Sequence, residues 1–162
     1  MSVTRDILAS YRRPREVFER RMQGDEGLAL TYVIIFGLMV FVSLLPAWSR
    51  QSELQPELGN FPSLVYSGFL GAVFLAPLAF YILAALIWVL TRPFAAISGL
   101  DIRLGLFWVA LATTPLLLLR GLTEGIMGQG NELQLVAVVW LVAFITFFTI
   151  AMRIAYMRTK AD

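Results

Sequence analysis

LGNFPSLVYSGFLGAVFLAPLAFYILAALIWVLT, residues 58–91, continues for 34 residues without a charged side chain. A helix on the surface of a soluble protein needs a polar face, and this stretch has none. At about 1.5 Å of rise per residue, roughly 20 apolar residues cross a hydrocarbon core of about 30 Å. The run is therefore long for one span and short for two spans with a turn between them. It reads as one tilted or overlong membrane helix. Gly59, Asn60 and Pro62 mark its start, and it stops near Leu90, before Arg92 and Pro93.

Three more charge-free runs flank it: Leu28 to Trp48, Leu104 to Leu119 and Leu133 to Met152. The third of the four runs is the shortest, with 16 residues between Arg103 and Arg120. Both arginines can lengthen that span by reaching to opposite head-group layers. The expected fold is an all-α polytopic transmembrane helix bundle of four spans, about 28–48, 62–91, 103–121 and 132–153. Five spans result if the 58–91 run crosses twice. A short amphipathic interfacial helix precedes the bundle. Residues 1–27 form a basic N-terminal segment, 28–157 the transmembrane domain and 158–162 a tail.

Composition agrees, because 59% hydrophobic against 15% charged residues lies far outside the soluble mixture. The first 27 residues carry charge throughout and lack the apolar core of a cleaved signal peptide, so the first span is expected to direct insertion. Lys and Arg number six before the first span, two between the second and third runs and three from Arg153 onward. The other two connections hold one each. By the positive-inside rule, eleven against two places both termini in the cytoplasm. A net charge of +2, with the basic residues beside the spans, gives no reason to expect nucleic-acid binding.

Chemistry-bearing groups are scarce. With no Cys and no His, thiolate nucleophiles, imidazole bases and the common zinc sites are excluded. The pairs Asp25/Glu26 and Glu53/Glu57 lack a nucleophile or base at a meaningful spacing. No catalytic, cofactor or metal residues are expected, and the chain reads as a non-enzyme. The runs hold no ionisable group either, which argues against a pump or ion channel acting alone.

Function is then sought in contact surfaces. Ser63, Ser67 and Gly71, with Gly68, Ala72 and Ala76, form two small-residue rows at four-residue spacing, a face that lets a neighbouring helix approach. Pro77 and Pro115 each remove a backbone hydrogen bond and predict kinks, with Thr113 and Thr114 placed to satisfy freed carbonyls. Near the N-terminus, Ile7, Tyr11, Phe18 and Met22 fall at helical spacings among Arg12, Arg13, Pro14, Arg15, Arg20 and Arg21. A helix beginning near Pro14 is expected to lie flat on the cytoplasmic leaflet or to dock a partner. Membrane lipids and other integral membrane proteins, or further copies of the chain, are the expected partners. A transporter or channel component is the alternative.

At Pro14-Arg15-Glu16-Val17-Phe18, at the Gly/Ala-rich second span and at Phe107-Trp108-Val109-Ala110-Leu111-Ala112-Thr113-Thr114-Pro115-Leu116-Leu117, the chain resembles the bacterial branch of the Yip family. These are small multispan proteins named for eukaryotic members that interact with Ypt/Rab GTPases. The resemblance implies an inner-membrane protein of scaffold or trafficking type, acting as a scaffold or accessory subunit, with no catalytic residues to carry over.

Overall fold

The computed structural model describes residues 3–160, the Leu58 side chain excepted. Among these residues the fold is all-α. A short hairpin of α1 (Val3–Ser10) and α2 (Pro14–Arg21) leads into α3 (Glu26–Leu54). A 3-10 turn at Pro56–Leu58 then reverses the chain into α4 (Phe61–Leu70), a π turn (Gly71–Leu75) and α5 (Ala76–Thr91). The last three helices are α6 (Gly99–Ala112), α7 (Thr114–Met127) and α8 (Asn131–Thr159).

The helix starts follow from local chemistry. The Asp25 side chain accepts from the Leu28 amide (2.9 Å), Asn60 from Ser63 (3.0 Å) and Ser98 from Leu100 (3.2 Å), each capping a first turn. Pro14, Pro62 and Pro115 sit at first or second helical positions, where a missing N–H is harmless. Gly128 adopts φ 82°, a left-handed conformation open to glycine, and ends α7.

Three helices are long and apolar enough to cross a membrane: α3, the 31-residue helix Phe61–Thr91, and α8. The 58–91 run is thus a single helix, and a fifth span does not form. The pair α6–α7, bent by 42°, supplies a fourth crossing when its halves are taken as one span. Arg103 on α6 pairs with Glu26 at the start of α3, while Arg50 near the end of α3 donates to the Ile126 carbonyl at the end of α7 (3.0 Å). The broken pair therefore runs parallel to α3. At the other end of α8, Arg158 reaches the Met22 carbonyl (2.9 Å), so α8 returns to the hairpin. The two chain ends share one end of an up-down-up-down bundle. Of the tail expected at 158–162, residues through Thr159 continue α8, and Ala161 and Asp162 lie outside the described residues.

Close approach by small residues sets the packing. A Cβ on Gly121 would fall on the Ser43 carbonyl of α3, and one on Gly125 would strike Pro46. Gly37 of α3 brings Ala72 equally near, where a Cβ would lie 2.5 Å from its carbonyl oxygen. Such contacts drive association where lipid removes the hydrophobic drive between spans. From Leu104 to Thr114 every residue is buried, so α6 is the bundle's central element. Outward faces are apolar, with Leu30, Ile34 and Leu38 on α3, Ile82 and Leu86 on α5, and Val138 and Val142 on α8 exposed. These helices are built to meet lipid.

The two expected small-residue rows part company. Ala72 is buried and the Trp48 ring lies over Gly68, so the row Gly68, Ala72, Ala76 packs against α3. Ser63 and Ser67 are exposed, and a Cβ on Gly71 would meet no atom beyond its own turn of helix within 4 Å. One row serves this chain's own packing and the other faces outward. Gly121→Ala is expected to lower stability by about 1–3 kcal/mol through overpacking. Gly71→Ala should be neutral or gain up to about 1 kcal/mol from helix propensity. Unfolding of the purified protein in micelles tests the pair, and the reverse order of effects would refute this packing.

Candidate functional site

The site grows from the break at Thr113. Pro115 has no N–H, which leaves the Leu111 carbonyl without its helical donor. Thr114 Oγ1 donates to that oxygen at 2.8 Å, and Thr113 Oγ1 donates to Val109 and Ala110 (3.1 and 3.0 Å). The kink and its hydroxyl repair follow the sequence expectation. One carbonyl remains, because Leu116 N bonds to Thr113 O in a tightened turn and Ala112 loses its own helical donor. Tyr11, between α1 and α2, donates its phenol hydroxyl to Ala112 O at 3.1 Å. The N-terminal hairpin thus completes the backbone of the broken span.

That arrangement also shows where the apolar face of the expected amphipathic helix is used. Val17, Phe18 and Met22 do point to one side, but Phe18 is 0% exposed. Its ring meets Phe147 of α8 edge-on at 5.6 Å, and Tyr11 meets the same ring at 5.3 Å. Met22 fills the notch left by Gly105 on α6. The apolar face of α2 is thereby used within the chain, and Phe18 is unavailable to lipid or partner. Arg12, Arg13, Arg15 and Arg20 are exposed, with Pro14 half-buried at the hairpin tip.

The hairpin is pinned by charge. The Asp6 side chain, 5% exposed, receives both Arg20 and Arg21, and Arg21 is itself only 15% exposed. Arg21 also stands over the Trp108 ring (5.1 Å), while Tyr32 donates to its backbone carbonyl (3.3 Å). Burial works against the Arg21 charge, yet its hydrogen bond with Asp6 holds the guanidinium above its ordinary range. At the far end of α2, Arg158 donates to the Glu19 and Met22 carbonyls and pairs with Asp101 (3.3 Å). A cation at a helix C-terminus is favoured by the exposed carbonyls there.

The sequence reading missed Asp6, although it is the sole acid among the first 15 residues and so the natural counter-ion for the arginines. Pro77 lies at the start of α5 beside the π turn, whose widened bond runs from Ala76 N–H to Gly71 O. The loosening expected at Pro77 thus takes the form of one wide turn within a continuous helix. Pro46, inside α3, went unremarked and is the surface against which Gly125 packs. Among the described residues no cluster of acids is placed to hold a metal ion.

No family model matches the chain, and no curated protein or solved structure matches it either.

Two outcomes are expected. Asp6→Asn leaves Arg21 buried without its anion and should cost about 3 kcal/mol in chemical unfolding, against under 1 kcal/mol for Glu16→Gln in an exposed pair. Burial also raises the Tyr11 phenol above its ordinary value, and only the protonated form can donate to Ala112. Its contribution is therefore fully present below the unfolded value of about 10 and lost as pH rises through the folded one. Tyr11→Phe should weaken the protein by about 1–3 kcal/mol at neutral pH and flatten this alkaline limb. Equal limbs in the two proteins would contradict the assignment.

Proposed function

We propose that this chain is a non-enzymatic integral membrane protein that acts through helix contacts, as a scaffold or accessory subunit of a membrane complex. The observation that carries the reading is the outward row Ser63, Ser67 and Gly71. Its neighbouring row packs against α3, whereas among the described residues Ser63 and Ser67 are exposed and a Cβ on Gly71 would meet no other helix. Small residues at four-residue spacing suit close approach by a second transmembrane helix. Tyr66 and Phe74, 71% and 60% exposed, flank it with large side chains able to pack around such a partner.

The resemblance to the bacterial branch of the Yip family supports a protein-contact role in a bacterial inner membrane. With the eleven-to-two charge asymmetry, it favours both termini in the cytoplasm. A transport role draws on the break at Thr113, but the residues buried around it on α6 are apolar apart from Thr113 and Thr114, which offers no polar path.

Affinity purification in mild detergent, followed by native electrophoresis, tests the proposal. The wild type should carry a stoichiometric partner helix protein or a second copy. The variant Ser67→Leu/Gly71→Leu should lose it while keeping wild-type unfolding behaviour. A strict monomer without partner would overturn the reading.

A further inference from the structure

We propose that the outward face of the α1–α2 hairpin binds anionic phospholipid head groups of the leaflet at its end of the bundle, and that Tyr11 transmits this binding to the broken span. This goes beyond the helix-contact reading and rests on a different surface.

Arg5, Arg12, Arg13, Arg15 and Arg20 are exposed on the hairpin, with Glu16 and Glu19 exposed beside them and the buried Asp6 taken up by Arg20 and Arg21. Arg13 pairs with Glu16 and Arg15 with Glu19, whereas among the described residues Arg5 and Arg12 have no salt-bridge partner. Between those two arginines lie Leu8, 63% exposed, and Tyr11, 42% exposed. Arg5 and Leu8 are three residues apart in α1 and so share a face. An apolar residue bracketed by unpaired arginines matches a boundary where acyl chains meet phosphates.

Depth selects lipid over a soluble acidic protein. Tyr11 and Phe18 reach inward to Ala112 and Phe147, while Arg15 lies against Met157 and Arg158 reaches the Glu19 carbonyl, so the hairpin packs directly on the spans at the end of the bundle, where head groups lie. Arginine stems can follow that apolar surface while their guanidinium groups reach the phosphates. The same hairpin holds Ala112 O with its inner side. Binding that favours the docked hairpin therefore also favours the bent form of α6–α7, because only the docked form supplies the donor.

The test uses the full chain in nanodiscs of phosphatidylcholine with increasing phosphatidylglycerol. A fluorophore on a cysteine replacing Leu8 gives a clean signal, since the chain has no native Cys. Phosphatidylglycerol should shift the label to a more apolar environment, with apparent affinity falling about five-fold for each of Arg5→Gln, Arg12→Gln and Arg13→Gln. Hydrogen exchange at residues 109–118 should slow with phosphatidylglycerol in the wild type but not in Tyr11→Phe, which still binds the lipid. A label response independent of phosphatidylglycerol, or restored only by an acidic soluble protein, would overturn the lipid assignment. Equal slowing of exchange in wild type and Tyr11→Phe would overturn the transmission.

Discussion

A backbone carbonyl inside a membrane bundle has no water to fall back on, and leaving it unpaired costs several kcal/mol. That constraint governs this fold at the Thr113 break. The carbonyls of Ala110, Leu111 and Ala112 lose their helical donors there, and the chain repairs them from different distances in sequence. Leu111 O is served by Thr114, three residues away, and Ala112 O by Tyr11, 101 residues away. The second repair requires an element outside the spans to reach into the bundle. The position of the hairpin follows from it.

The hairpin also answers a packing problem. α6 is apolar on all sides and short, so it needs neighbours all round, and the spans α3, α5 and α8 leave one flank open. Val17, Phe18 and Met22 close it. Unlike the faces of the spans, this apolar face comes from the aqueous side, so its burial draws on the ordinary hydrophobic effect at roughly 1.5–3 kcal/mol for each large side chain. Span-to-span contacts depend instead on glycine notches such as Gly121 on Ser43 and Gly37 on Ala72. Two different forces thus assemble one bundle.

The spans were legible because hydrophobic length is a local property of the chain. The runs 28–48 and 132–153 fall within α3 and α8, and the 62–91 reading is nearly the helix observed. The break was legible too, since Pro115 and its threonines are adjacent. What could not be read was the assignment of faces. Ser63 and Gly68 belong to equivalent-looking rows, and only the position of Trp48 and α3 separates the packed row from the open one. What the hairpin's apolar face meets could not be read for the same reason: an amphipathic helix presents the same periodicity whether that face meets lipid or protein.

Charge illustrates the limit from the other direction. Orientation rules weight every arginine alike, because they act while the chain is being inserted and before tertiary contacts exist. In the folded protein the basic residues at the hairpin end divide into two kinds. Arg21, Arg103 and Arg158 are tied to Asp6, Glu26 and Asp101 and fix hairpin, α3, α6 and α8 to one another. Arg5 and Arg12 are tied to no acid in the described chain, although the same count includes them. A residue that orients the chain during insertion is thus free to be a tertiary pin or an outward contact afterwards. The deciding feature is whether an acid such as Asp6 is carried to it by the fold, which residue counting along the sequence does not contain.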